Sequence, residues 1–352
     1  MIHEYHTDVH KFHKFKYAFL ESKKTPLIGV ELEVSVSKNN PVPDVAKEVE
    51  KLLRHFCILA RDGSVVRGFE IKTAASTYNY HLTAWNNFLE WHNEKKKLLT
   101  VHSSCGCHVT LEKAGWFISN EHIGRFTCFI NATGTRWLID KVAQRKENQY
   151  INYEKVGVES ALSLNHCGHH NAVNTHKGGD KLIEVRIFQS VVEKQSILKN
   201  IEFVMAVVEY TKTATEYRSG KQFLAWLKDK TNSEKYPNLI GFLLKLAQEK
   251  KELMEASAKL AAAKALESEK IKIATAKALT AAKALESEKI KIAKIAQDAK
   301  AQLKLAKHDM LYKDWSKYNP HADNKDAWEQ LRKRLENAIK IDTELRSKRK
   351  IE

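Results

Sequence analysis

Four short stretches alternate residue by residue between apolar and charged side chains: Ile28–Val36, Gly68–Thr73, Cys105–Leu111 and Leu182–Phe188. Period two is the mark of a strand half-buried in a sheet, because successive side chains leave opposite faces. Val30, Leu32, Val34, Phe69, Ile71, Val109, Leu111, Ile183, Val185 and Ile187 fall on one side. Glu31, Glu33, Glu70, His108, Glu184 and Arg186 fall on the other. If the strands share a sheet, one face packs on helices. The opposite, open face then carries four carboxylates, an imidazole and a guanidinium. For one such segment the ordinary reading is a solvated strand paired across the sheet. Four segments arranged alike point further, since gathered carboxylates repel unless a cation sits among them. The pattern predicts a metal-dependent site.

A chain of 352 residues can bury at least one good core and hold two domains. No window approaches the ~18 uninterrupted apolar residues of a membrane span, and the first residues lack the basic and apolar regions of a secretory signal. The cysteines, Cys57, Cys105, Cys107, Cys128 and Cys167, are odd in number, which fits a reducing compartment better than a disulfide framework. Together these features predict a cytoplasmic protein. The net charge of +16 favours polyanionic partners, nucleic acid among them, or reflects a solvated lysine-rich surface.

All five prolines lie at Pro26, Pro41, Pro43, Pro237 and Pro320, and no glycine follows Gly241. The stretch from Phe242 to Asn319 therefore has neither breaker and is rich in helix formers. It repeats itself: Ala262–Ala274 recurs at Ala281–Ala293, nineteen residues on. Leu253, Leu260, Leu266, Ile273, Leu279, Leu285 and Ile292 recur every six or seven positions, which predicts a narrow apolar seam and hence a coiled coil or helical hairpin. With fifteen lysines against eight acids from Lys245 to Lys307, the arm is basic. It is read as a spacer or homo-oligomerisation arm, or as a nucleic-acid contact. Ahead of it, Asp44 is expected to cap a helix through Phe56, Asn120 one through Phe129, and helices are expected over 78–97, 137–144 and 196–217. The last of these has Ile201, Val204, Met205 and Val208 on one side. The polar stretch 153–179 reads as a loop or weak hairpin. The fold class is α+β, a mainly antiparallel sheet with helices on one face and a long C-terminal helical arm. The expected domains are 1–236, the arm 237–319 and a charged C-terminal helix 320–352.

Glu31 and Glu33 project from one side of one strand, about 7 Å apart. Mg²⁺ takes oxygen ligands from one or two carboxylates together with substrate phosphates. His108 on a neighbouring strand offers a nitrogen ligand or a phosphate contact. Glu184 and Arg186 repeat the spacing with opposite signs, so one can hold metal while the other neutralises a transferring phosphoryl group.

Gly29-Val-Glu-Leu-Glu33, Asp62-Gly-Ser64, Gly68-Phe-Glu-Ile71, Cys105-Gly-Cys-His-Val109, Asn174 and Ile183-Glu-Val-Arg-Ile-Phe188 occur in an order that resembles the amidoligases. These are carboxylate–amine ligases of the glutamine-synthetase-like superfamily, which includes glutamate–cysteine ligase. The resemblance covers roughly residues 25 to 215. It implies a half-funnel of antiparallel strands with ATP and Mg²⁺ against the sheet. It also implies that ATP phosphorylates a small-molecule or peptide carboxylate and that an amine captures the acyl phosphate. Glu31, Glu33, Glu70, His108 and Glu184 would be metal ligands. Glu33, His108, Arg186 and Asn174 would handle the nucleotide, with Glu184 and Arg186 catalytic. Arg145 and Arg136 are candidates for gripping an anionic substrate, a surface salt bridge being the alternative for each. The chain departs from the family at Thr110, where a second histidine is often found. Two other readings stand beside the ligase. One is a binding or structural protein of the same fold with weakened catalysis. The other is a zinc-stabilised nucleic-acid-binding module built on Cys105, Cys107 and His108 with His166, Cys167, His169 and His170. In the strand reading Cys107 points to the apolar side, and Cys105 shares its face, opposite His108.

Overall fold

The computed structural model describes residues 2–4, 25–53, 56–95, 98–148, 151–162, 170–177, 181–312 and scattered positions between 329 and 341. It divides into two compact units, Met1–Lys251 and Glu252–Glu352.

The first unit is built on an eight-stranded sheet. Its centre is β2 (Ile28–Val36), with β4 (Gly68–Thr73) on one side and β6 (Gly106–Glu112) on the other, both antiparallel to it. Beyond β4 lie β3 (Cys57–Ala60) and β1 (Ile2–His3), the latter pair parallel. Beyond β6 lie β8 (Leu182–Gln189) and the edge strand β7 (Val173–Lys177). The short β5 (Leu99–Thr100) adds to the end of β2. All four alternating stretches are therefore strands of one sheet, and they run side by side in it as β4, β2, β6 and β8.

Helices cover the apolar face. They are α1 (Val42–Leu53), α2 (Tyr78–Glu94), α3 (Lys113–Trp116), α4 (Asn120–Asn131), α5 (Thr133–Ala143), α6 (Val158–Leu162), α7 (Lys194–Thr213), α8 (Gly220–Leu227) and α9 (Lys230–Lys235). The helix α7 was expected to bury one side only. Instead Ile197, Leu198, Ile201, Phe203, Val204, Ala206 and Val207 are all fully buried. It packs on β6 as well as on α2, α4, α5 and α8, so it is a helix buried on nearly every side at the centre of the core, with Lys199, Asn200 and Glu202 among its buried residues. Each large side chain so buried contributes about 1.5–3 kcal/mol.

Several boundaries differ from the sequence reading. In α1 the chain turns two residues early, with Val45 N bonding Pro41 O, so Asp44 sits in the first turn, where its charge faces the positive helix end, rather than at the cap. Ser119, not Asn120, caps α4, its hydroxyl accepting from His122 N. The helix α5 starts four residues before Trp137. The stretch 153–179, read as a loop or weak hairpin, contains α6 and β7, and β7 pairs antiparallel with β8. Its polar sequence hides β7 because an edge strand has only one paired neighbour to bury against.

The last element is α10 (Pro237–Tyr312), a single helix of 76 residues. Proline at its first turn forgoes an N–H that would have had no partner anyway. Leu239 and Phe242 at its start are buried in the first unit. In the second unit the same helix is solvated: Leu253 is 71% exposed and Leu279 57%. The expected hairpin is absent and the seam dissolves. At about 100° per residue a six-residue step turns by roughly 120° off the starting face, so Leu260 to Leu266 and Ile273 to Leu279 to Leu285 wind round the helix. No helix among the described residues is long and apolar enough to cross a membrane.

Candidate functional site

Register brings the charged residues together. Across β2 and β4, Glu31 stands opposite Lys72 and Glu33 opposite Glu70. Across β2 and β6, Glu31 stands opposite His108. Across β6 and β8, Thr110 stands opposite Glu184, and a bulge between Cys107 and Val109 slips the register there. Such bulges re-aim side chains beside a site.

His108 is the hub. Its Nδ1 lies 3.4 Å from Glu31 Oε2 and 3.8 Å from Glu184 Oε1, and its Nε2 lies 3.9 Å from Glu33 Oε1. The face is not open, as the alternation had implied. Glu33, Glu70, His108 and Glu184 are buried, and Glu31 and Arg186 are partly exposed.

The chain supplies its own counter-charges, and sequence reasoning found Arg186 but missed the two lysines. Lys177 Nζ donates to Glu31 Oε1 and to Glu184 Oε1, each at 2.6 Å. Lys72 Nζ lies 3.0 Å from Glu70 Oε2, and Arg186 Nη1 donates to Glu184 Oε2 at 3.2 Å. Lys72 was legible in hindsight, because it continues the alternation of Gly68–Thr73 on the residue opposite Glu31. Lys177 carried no signal, since its strand shows no alternation.

Electrostatics follow from these contacts. Burial alone would raise Glu31, but Lys177 and His108 outweigh it and hold its carboxyl well below the usual range. For Glu184 burial again opposes, and Lys177, His108 and Arg186 win against Glu31, so its carboxyl is held low. Burial pushes Glu70 well up, and the neighbouring Glu31 charge adds to this against Lys72. Burial also raises Glu33, against His108 and the Gly106 amide. The four acids thus fall into two classes: an ionised pair at Glu31 and Glu184, and a pair at Glu33 and Glu70 that favours an added proton or cation.

Two triads bring ligand atoms within 4.8 Å of one another: Glu31, Glu70 and His108, and Glu33, Asp62 and Glu70. Their oxygen-rich donor sets fit a hard divalent cation. Glu70 belongs to both, whereas Glu184 belongs to neither. Asp62 is held in its turn by accepting from Ser64 N at 2.6 Å.

Gly106 begins β6. Its N–H donates to Glu33 Oε2 at 2.7 Å. Beside it comes Arg145, which is buried rather than forming a surface salt bridge: Nη2 donates to Ser104 O at 3.0 Å and Nη1 to Phe188 O at 3.4 Å. Burial lowers its pKa, with Glu33 opposing. Arg136 is elsewhere, pairing with Glu147 at 3.3 Å and stacking on the Tyr153 ring at 3.3 Å. Asn174 stands opposite Glu184, but its side-chain oxygen accepts from His176 N at 3.0 Å, a local turn.

The cysteines do not gather. Cys107 lies on the helix side, near Asn200 and Lys199, and burial pushes its thiol up to about 12. Cys105 precedes the strand and approaches Ser35 Oγ at 4.0 Å, so it does not share the surroundings of Cys107. Neither belongs to a candidate metal triad among the described residues. His166, Cys167 and His169, with the N-terminal His6, His10 and His13, lie outside the described residues.

No family model matches the chain, and no curated protein matches it. Among solved structures it is similar to the crystal structure of the complex between prokaryotic ubiquitin-like protein Pup and its ligase PafA, at 12% identity and a TM-score of 0.28. The match covers 54% of this chain, which spans about half the length of the other, 47%. The likeness is slight, and the functional reading rests on this chain's own residues.

Proposed function

We propose that the chain is an ATP- and Mg²⁺-dependent carboxylate–amine ligase. The observation that supports this best is the convergence, from strands far apart in sequence, of two overlapping triads with a buried arginine beside them. Glu70 with Glu31, Glu33, Asp62 and His108 would hold the divalent ion, which supplies charge neutralisation for the phosphates when bound. Arg186, oriented by Glu184, would face the transferring phosphoryl group, and Arg145 the carboxylate substrate. The γ-phosphoryl passes to a substrate carboxylate oxygen and ADP leaves. The amine nitrogen then attacks the acyl carbon, the carbon–oxygen bond to phosphate breaks, and the departing phosphate takes up the proton that the nitrogen loses. A buried site shelters that acyl phosphate from water.

The lysines favour a second reading, a binding protein of the same fold, because Lys177 and Lys72 balance charge without any metal. Binding of a non-hydrolysable ATP analogue with and without Mg²⁺ separates the two. The ligase reading expects Mg²⁺-dependent binding that Glu33→Gln and Glu70→Gln weaken by at least about tenfold. Binding indifferent to Mg²⁺ and to both variants would leave the second reading.

A further inference from the structure

Lys177 reaches its acids from the edge strand β7, and its two contacts are equal: 2.6 Å to Glu31 Oε1 and 2.6 Å to Glu184 Oε1. A Mg²⁺ bridging those oxygens would lie about 2.0–2.1 Å from each. The ammonium nitrogen therefore stands about an ångström from the place such an ion would take, far closer than two cations can approach, so both cannot be present. Arg186 completes the neutralisation from the other side, holding Glu184 Oε2 at 3.2 Å. The Glu33 edge differs. There the carboxylate meets the Gly106 amide at 2.7 Å and the Ser64 hydroxyl at 3.5 Å. Among the described residues, the nearest nitrogen base to it is His108 Nε2, at 3.9 Å from Glu33 Oε1.

We propose that Lys177 is a resident cation that takes the place of a divalent ion between Glu31 and Glu184. The cluster is then asymmetric. Glu31 Oε1 and Glu184 Oε1 are neutralised by the chain itself, and exchangeable metal is left to the two triads that share Glu70, whose Oε2 has Lys72 at 3.0 Å. A fixed ammonium also differs in kind from an ion: it has three donors and no open coordination position, so it binds anionic oxygen but cannot polarise a bound water. Lys177 accordingly sets how many ions the site accepts. Only the assignment of metal to those triads rests on the ligase reading.

The test is a count of Mn²⁺ by titration with electron paramagnetic resonance, on the full chain, for wild type, Lys177→Met, Lys177→Arg and Lys177→Met with Glu184→Gln. Lys177→Met is expected to bind about one Mn²⁺ more than wild type. Lys177→Arg is expected to match wild type, and the double variant to lose the added ion. Equal counts and affinities in wild type and Lys177→Met would overturn the proposal. A Mn²⁺ soak of wild-type crystals decides the matter without any variant. An anomalous peak between Glu31 and Glu184 with Lys177 displaced overturns the proposal, and Lys177 in place with no peak there supports it. Failure of the ligase reading looks different: wild type would show no Mg²⁺-dependent nucleotide binding, while Lys177→Met still gained its ion.

Discussion

At the scale of single residues, Gly106 is where backbone and chemistry meet. A Cβ there would come within 2.7 Å of Arg145 Nη1 and 2.8 Å of His108 Nε2. Arginine can swing its tip, but Arg145 is buried and its guanidinium is tied to two carbonyls, while the His108 ring is wedged among three acids. Gly106→Ala is therefore expected to cost about 1–3 kcal/mol of stability and to weaken Mg²⁺-dependent nucleotide binding by at least about tenfold. Gly29→Ala is the control. Its Cβ would meet Thr110 Cβ at 3.6 Å, an ordinary contact, so stability should move by less than about 0.5 kcal/mol. Denaturant melts of both variants, with nucleotide titrations, check the pair. If Gly106→Ala bound as well as Gly29→Ala, the crowding at β6 would have no functional weight. The same neighbourhood shows what alternation can reveal. It placed Glu31, Glu33, Glu70, His108, Glu184 and Arg186 on one face, because period two fixes direction once a strand is recognised. It could not find Lys177, whose role depends on a pairing between β7 and β8, nor predict the burial of Arg145, which follows a helix end rather than a strand.

At the scale of elements, α5, α7 and α10 meet at Lys199, which is 1% exposed. Its ammonium donates to Gln144 Oε1 at 3.2 Å and to Val142 O, and lies 4.4 Å from the centre of the Phe242 ring. Those two oxygens close the C-terminal end of α5, where Gln144 adopts a left-handed φ of 56° before the chain delivers Arg145 to the site. Burial pulls Lys199 down to about 7, against an ordinary value of 10.5. Its folded value is thus depressed. From about pH 7 to about pH 10.5 the unfolded chain keeps a proton that the folded one has released, so this group makes stability rise with pH over that window. The Phe242 ring favours the charged form and trims the effect. Between pH 7 and 9 the gain is expected to be on the order of 1–2 kcal/mol, and Lys199→Met should lack it. Urea unfolding of both proteins at the two pH values reads this directly, and parallel slopes would mean that Lys199 keeps its proton. Elements of this kind were legible where periodicity is strong, as in α2 and α7. Their ends were not, because a cap depends on which backbone groups find partners, as Ser119 does one residue before Asn120. The burial of α7 on every side escaped the sequence for a related reason: helical spacing shows one apolar face, and only packing shows that the others are also covered.

At the scale of the whole chain, the question is what the exposed length of α10 contributes. Its breaker-free composition made one long helix legible, and propensity from Ala, Lys, Glu and Leu is enough to favour it without tertiary support. Spacing every six or seven residues suggested a seam. The observed single helix removes it, because each nineteen-residue copy turns the pattern by about 100° relative to the last. Apolar residues that wind round the helix offer no continuous stripe to a second copy of the arm. Its lysines remain, and a polyanion contact by the arm needs only them. A chain ending at Lys251 is accordingly expected to keep Mg²⁺-dependent nucleotide binding within about twofold of the full chain. It should also bind a polyanion such as heparin or RNA more weakly, with a shallower fall of affinity as salt rises, since fewer counterions are released. The first unit contains the whole cluster from Glu31 to Arg186 and anchors the start of α10 through Glu202, which accepts from Leu239 N at 2.7 Å, so both halves of the expectation can be read on one stable product. Loss of nucleotide binding on truncation would show that the arm helps form the site. An unchanged salt slope would place polyanion contact on the first unit, leaving the arm as a spacer.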